Sequence, residues 1–192
     1  MTDLAQDPRW RRFNDREFEC PCCGKRFGGV YDVVFDHPDP WGHGNRAKSG
    51  EDILWAGKNW LSSDLCVQDG DYFVRCIMPF PIIGSDQSFA FGVWGSVSKD
   101  SFKHFYMGFD TSDYGDFTGC FSWLSNNIPH VGQDDWIPCD LMIEDPTKRP
   151  VLYAQSKAAA VRAHQENGIT FDQLLDIYAS AGNDIRPHLL DG

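Results

Sequence analysis

The chain has 192 residues, of which 42% are hydrophobic and 14% aromatic, so it can bury the core of one globular domain. A formal net charge of −11 argues against a protein that binds nucleic acid or an anionic membrane surface. Seven cysteines, an odd number in a chain of this length, favour reduced thiols over a secreted disulfide framework.

Residues 1–17 are predicted to form a solvated N-terminal tail, in which arginines surround Trp10. This start lacks the apolar core of a signal peptide, and no run of residues is long and apolar enough to span a membrane. Together with the cysteine content, these features predict a cytoplasmic protein with no membrane partner.

A cysteine-rich turn follows this tail. In a C-x-x-C-G turn the thiolates of Cys20 and Cys23 are directed towards one tetrahedral metal, as in a zinc knuckle. The sequence contains no second C-x-x-C, so further ligands must come from elsewhere. The candidates for them are Cys66, His37 and His43. We predict a structural zinc ion bound by Cys20, Cys23 and Cys66, with a set of free thiols as the alternative.

The stretch 63–98 is the most strand-like part of the chain. Asp69-Gly70, between two runs rich in Val, Tyr and Phe, predicts a two-residue hairpin loop. Because side chains alternate along a strand, the register outward from this loop separates a core face from a polar face. The core face carries Ser63, Leu65, Val67, Tyr72, Val74 and Cys76. The polar face carries Asp64, Cys66, Gln68, Asp71, Phe73 and Arg75.

Further elements are predicted on both sides of the hairpin. Before it, residues 30–35 form a strand and residues 51–61 a short helix. After it, residues 89–97 form a strand with Trp94 on the side opposite to Phe89, Phe91, Val93 and Val97. Ser98 is predicted to cap a helix that contains Phe102.

The last third of the chain combines strands and helices. Strands are predicted over 137–143 and 151–155, and helices over 158–166 and 170–182, the second with a Thr170–Gln173 capping box. The predicted fold is α+β, an antiparallel sheet of about five or six strands with helices packed at the C-terminal part. We predict a single domain over residues 18–182, with the cysteine knuckle at its start, and a C-terminal tail over 183–192.

The polar face of the hairpin is a candidate ligand site. Asp64 lies opposite Arg75 in the predicted register and forms a cross-strand ion pair with it. Arg75 could also present its guanidinium to an anionic ligand, and we predict Asp64, Arg75 and Trp94 as ligand-binding residues. No catalytic residue is assigned, because the common hydrolase and nucleotide-binding motifs are absent from the sequence.

The negative charge is concentrated in one segment. Residues 104–147 contain eight carboxylates and no Lys or Arg. This composition predicts a basic protein partner, with Asp134 and Asp135 among the contacting residues.

Several motifs resemble those of one bacterial family. They are FECPCCG, SSDLCV, YFVR, FAFGVWGSVS, FSWLSNNIP, Arg-Pro at 149–150 and HQENGIT, and together they extend over residues 18–180. The sequence resembles the family catalogued as domain of unknown function 2199. The family has no established activity, so the resemblance does not point to a particular reaction. Two histidines that are frequent in the family are replaced here, one by Phe27 and one by Ala159 of an Ala-Ala pair.

The sequence therefore favours a non-catalytic binding or interaction module with a structural zinc knuckle. The alternative is an enzyme or small-ligand binder that uses the sheet face around Asp64, Cys66 and Arg75.

Overall fold

The computed structural model describes residues 4–131, 137–155 and 159–190. Nine strands form one sheet. The strands are β1 Val33–Val34, β2 Leu54–Ala56, β3 Asn59–Leu61, β4 Leu65–Gln68, β5 Asp71–Pro81, β6 Ser88–Val97, β7 Gly119–Leu124, β8 Pro138–Met142 and β9 Val151–Ala154. The helices are a 3₁₀ turn Leu4–Gln6 and α1 Pro8–Asn14, α2 Arg46–Ser49, α3 Lys99–Gly108, α4 Ala159–Asn167, α5 Phe171–Ser180 and α6 Arg186–Leu189.

Five of the strands close into a barrel. β5 to β9 follow one another as antiparallel neighbours, and β9 returns to β5 through a parallel pairing of Val151 with Ile77. The α+β class is confirmed. The prediction of an antiparallel sheet of about five or six strands is wrong, because the sheet has nine described strands and two parallel pairings, and the helices lie only partly in the C-terminal part. A closed barrel hides the strand edges that an open sheet would expose. Helices α1 to α3 precede β7, so helices are found in both halves of the chain.

Strand β5 is long enough to pair with strands of the barrel and with strands outside it. One edge of β5 pairs with β4 over residues 71–74 and with β9 at Ile77, while its other edge pairs with β6. Strands β4, β3 and β2 therefore extend the barrel as a side sheet, and β1 adds in parallel to β6. The predicted helix over 51–61 is wrong. Gly57, at φ +65°, turns the chain into the β2–β3 hairpin instead.

The predicted hairpin register is confirmed. Asp69 and Gly70 form the loop with φ of 53° and 93°, the left-handed conformation that a tight hairpin turn requires. The pairs across the two strands are Leu65 with Val74, Cys66 with Phe73, Val67 with Tyr72 and Gln68 with Asp71. Of the residues predicted for the core face of β5, Val74 and Cys76 are buried and Tyr72 is half-buried.

A second hydrophobic cluster covers the hairpin face that the sequence predicted to be polar. It consists of Trp41, Leu61, Cys66, Phe73 and Trp94. Trp41 comes from the loop before the side sheet, and the indole of Trp94 donates a hydrogen bond to the carbonyl of Phe35 at 3.1 Å. Cys66, expected on the less apolar side of the sheet, has no exposed surface for this reason.

Packed elements stand at both ends of the chain, where tails were predicted. In α1, Trp10 and Phe13 are buried, and the Trp10 ring lies 5.0 Å from that of Phe171 at the start of α5. Near the other end Leu189 of α6 is buried, and its carbonyl accepts a hydrogen bond from the Arg12 guanidinium at 2.6 Å. The predicted domain boundaries at residues 18 and 182 stay predictions.

Candidate metal centre

The cysteine-rich segment folds into a tight turn. The backbone amides of Cys23 and Gly24 both donate to the carbonyl of Cys20, at 3.3 and 2.8 Å. The backbone amide of Cys20 donates to the carbonyl of Lys25 at 3.0 Å. Gly24 has a φ of +72°, which few other residues adopt without strain. The turn is closed by an antiparallel bridge between Glu19 and Arg26, so three cysteine side chains are presented from one short, constrained loop.

Helix α6 brings a histidine to this turn from the other end of the chain. The Nδ1 atom of His188 lies 3.5 Å from the sulfur of Cys20, 3.9 Å from that of Cys22 and 3.3 Å from that of Cys23. The sulfurs of Cys20 and Cys22 are 3.0 Å apart. All four donor atoms lie within 4.8 Å of one another.

The position of His188 is fixed by its neighbours. Arg186, two residues earlier, forms ion pairs with Asp176 at 2.7 Å and with Asp184 at 2.8 Å. The His188 ring lies 6.1 Å from the ring of Phe27, which belongs to the segment that follows the cysteine turn. The ion pairs of Arg186 tie α6 to Asp176 and Asp184, and Phe27 lies next to the His188 ring.

The thiols of the cluster differ in acidity. The hydrogen bond from the Cys22 thiol, aided by His188, lowers the pKa of Cys20 to about 6. The same hydrogen bond raises the pKa of Cys22 to about 11, because Cys22 must keep its proton to donate. Cys20 is buried and Cys22 and Cys23 are exposed, so one side of the cluster is open to an entering ion.

The donor set fits a tetrahedral metal. Metal–sulfur bonds near 2.3 Å and metal–nitrogen bonds near 2.0–2.1 Å require donor separations of roughly 3.6–3.8 Å. The Cys20–Cys22 separation and the three His188–sulfur separations run from 3.0 to 3.9 Å, and the remaining sulfur pairs lie within 4.8 Å, so the four donor atoms are close to these values. Three thiolates with one imidazole favour zinc over harder cations such as magnesium or calcium.

The structure brings together only part of the predicted ligand set. Cys20 and Cys23 are in the cluster, whereas Cys66 is buried among apolar side chains of the second cluster, and this burial raises its pKa to about 12. Cys22, an inner position of the C-x-x-C pattern, belongs to the cluster although the sequence did not predict it as a ligand. His188 was missed because it is 165 residues from Cys23 and lies where a tail was predicted.

The two other histidines considered at the sequence level lie elsewhere. His37 faces the carbonyl of Pro38 at 2.9 Å, and His43 approaches the side-chain amide of Asn59 at 3.5 Å. Neither belongs to the four-residue cluster.

The predicted ligand residues of the sheet are only partly together. The amide of Arg75 donates to the carbonyl of Asp64 at 2.8 Å, as the register requires. The predicted Asp64–Arg75 ion pair is wrong, however, because the Asp64 carboxylate binds the Arg149 guanidinium at 2.5 Å instead. Trp94 is fully buried and packs against Arg75, whose guanidinium carbon lies 5.8 Å from the centre of the Trp94 ring.

Taken together, these features define a mixed α+β protein with a closed five-stranded barrel and a Cys3His cluster. The family model "Uncharacterized protein conserved in bacteria (DUF2199)" matches residues 19–169, and the chain belongs to this family. The match includes the cysteine turn and the barrel and ends before His188. No curated protein and no solved structure matches the chain significantly.

Among the described residues, no helix has the length and apolar character needed to cross a membrane.

Proposed function

We propose that this protein is a binding module whose chain ends are joined by a structural zinc ion, with Cys20, Cys22, Cys23 and His188 as ligands. The observation that carries the proposal is the convergence of three sulfurs and one imidazole nitrogen within 4.8 Å. Four protein ligands complete a tetrahedral site and leave no position for substrate or water, which is typical of structural rather than catalytic zinc.

The local structure gives a reason for such a metal. The cysteine turn has only one short bridge of its own, and α6 has four residues, too few for a helix to be stable in isolation. A metal shared by these two segments would hold both in place, because ligand binding to the folded state adds directly to stability.

The first test is elemental analysis of protein purified without added metal. We expect near-stoichiometric zinc, and we expect Cys20→Ser and His188→Ala to lower both the zinc content and the melting temperature. Saturating metal stabilises a folded protein by about 4 kcal/mol at a thousandfold excess over Kd, so the change in melting temperature is measurable.

The matched control is His43→Ala, which removes an exposed histidine outside the cluster. It should leave the zinc content unchanged. Metal-free protein whose melting temperature does not respond to added zinc would contradict the proposal.

The interaction partner that we propose is a basic protein, which would contact the acidic segment 104–147. Its support is the charge pattern of eight carboxylates without a Lys or Arg. In addition, Tyr106 and Met107 of this segment are 62% and 79% exposed and line an apolar groove of about 460 Å³. Exposed apolar surface is typical of protein contact sites, and the charged side chain that lines this groove is Lys103. Asp134 and Asp135, predicted as contacts, lie outside the described residues.

The partner proposal is tested with an oligolysine peptide as the probe. Binding should weaken as the salt concentration rises, because salt screens the attraction between opposite charges. Replacing Asp134 and Asp135 together by Asn should weaken binding as well, because it removes two negative charges from the segment. Replacing Asp52 and Asp71 by Asn removes the same charge outside the segment and serves as the control. Equal loss in both double variants would show that only the net charge matters.

A further inference from the structure

A second site is formed at the rim of the barrel by a cleft of about 300 Å³, the lower end of the size range of small-molecule pockets. It lies between the start of β4, the middle of β5, the end of α3 and the segment before β9. Its polar wall consists of Asp64, Arg75, Ser112, Tyr114, Thr147, Lys148 and Arg149. Its apolar wall consists of Leu65, Val74, Phe105, Phe109, Pro146 and Pro150.

Arg75 is the unusual residue of this cleft. Its Nη1 donates to the carbonyl of Ser63 at 3.1 Å, but its Nε is buried and has no hydrogen-bond acceptor among the described residues. The guanidinium carbon lies 5.8 Å from the ring centre of Trp94, which keeps the side chain in place. This Nε has no accessible surface, so an acceptor from outside the chain would reach the half-buried guanidinium through the part of it that lines the cleft.

The charges around the cleft support an anion as this acceptor. Asp64, the only carboxylate in its wall, is already paired with Arg149 at 2.5 Å. Lys148 pairs with Asp145 at 3.2 Å. Arg75 has no carboxylate within ion-pair distance in the described part of the chain, although the guanidinium stays protonated at any physiological pH. Burial and the nearby charge of Arg149 both lower the pKa of Arg75, and a bound anion would offset this penalty.

We propose that the cleft binds a small organic acid. The carboxylate or phosphate oxyanion of this ligand accepts hydrogen bonds from Arg75, which suits the planar fork of a guanidinium. The hydroxyl groups of Ser112, Tyr114 and Thr147 line the remainder of the polar wall, and the apolar body of the ligand packs on Phe105 and Phe109. This site is independent of the proposed zinc site, whose four residues are absent from its walls.

The test is calorimetric titration of the purified full chain with benzoate and with benzamide, which have nearly the same shape but differ in charge. We expect benzoate to bind at least about tenfold more tightly, because charge-assisted hydrogen bonds are stronger than neutral ones. Phenyl phosphate, titrated in parallel, distinguishes a phosphate ligand from a carboxylate. The proposal is overturned if neither acid binds better than benzamide.

Two variants assign the preference to Arg75. Arg75→Gln should abolish the preference for the acid, and Arg75→Lys should weaken it because the ammonium group cannot form two parallel hydrogen bonds. Arg162→Gln is the control, since Arg162 pairs with Glu166 on helix α4 and does not line the cleft. A preference retained in Arg75→Gln would overturn the assignment. The comparison of the two ligands on the unmodified protein decides the matter even if a variant fails to fold.

Discussion

At the scale of single residues, the cysteines show how burial decides chemistry. Cys22 and Cys23 are exposed, while Cys66, Cys76 and Cys139 are buried. Burial raises the pKa of Cys66 to about 12 and that of Cys76 well above its ordinary value. Since the thiolate is the reactive form and burial also excludes the reagent, the buried thiols are inert in the folded protein.

This difference predicts the order of thiol labelling in metal-free native protein. The exposed Cys23 should be modified first, Cys22 next because its pKa of about 11 keeps the thiol protonated, and Cys66 and Cys76 only after unfolding, as read by mass spectrometry of the labelled peptides. Added zinc should protect Cys22 and Cys23 from the reagent, because a thiolate bound to a metal is a poor nucleophile.

A Trp41→Ala variant tests which segment covers Cys66. Trp41 belongs to the second hydrophobic cluster and not to the barrel core, so its truncation should speed the labelling of Cys66 and leave Cys76 slow. Rapid labelling of Cys66 in the unmodified protein would mean that the Trp41 loop does not cover the hairpin face.

At the scale of elements, close approaches between neighbouring strands leave no room for a side chain at certain glycines. A Cβ atom placed on Gly119, the first residue of β7, would lie 2.3 Å from the backbone carbonyl oxygen of Leu141 in β8. The contact is with backbone, so β7 and β8 would have to separate locally to relieve it.

Gly119→Ala should therefore destabilise the protein by about 1–3 kcal/mol, the usual cost of overpacking. The measurement is the midpoint of urea unfolding. Gly42→Ala is the control, because a Cβ at Gly42 meets no atom within 4 Å, and its effect should stay within about 0.5 kcal/mol. Equal stability of the two variants would contradict the β7–β8 pairing described above.

At the scale of the whole molecule, the barrel and the proposed metal site depend on different forces. The main hydrophobic core takes side chains from all five barrel strands and from α5, so the barrel is stabilised by apolar burial. The cysteine turn, residues 19–26, contributes no residue to that core, Phe27 joins it directly after the turn, and α6 contributes Leu189. Removal of a metal should consequently loosen the chain ends more than the barrel.

Hydrogen exchange with and without a chelator measures this difference. We expect faster exchange over residues 20–26 and 183–190 when the metal is removed, with little change in β5 and β6, because local opening requires less free energy than global unfolding. Faster exchange throughout the barrel would show that the metal is required for the global fold. Unchanged exchange in the two segments would argue against a metal that joins them.

Local features were predictable because they depend on neighbours in the sequence. The Asp69-Gly70 loop and the alternation around it determined the hairpin register, and the Thr170–Gln173 capping box is present at the start of α5. The spacing of Cys20 and Cys23 likewise determined one side of the candidate metal site, since a turn of four residues is enough to bring their sulfurs together.

Tertiary structure alone decided the features that join distant segments. The barrel closes through Ile77 and Val151, and His188 reaches the cysteines from the opposite end of the chain. Trp41 buries Cys66, and Arg149 takes the carboxylate of Asp64 that the register had placed opposite Arg75. Sequence pattern specifies which face of a strand is apolar, but which distant segment covers that face depends on packing across the whole chain.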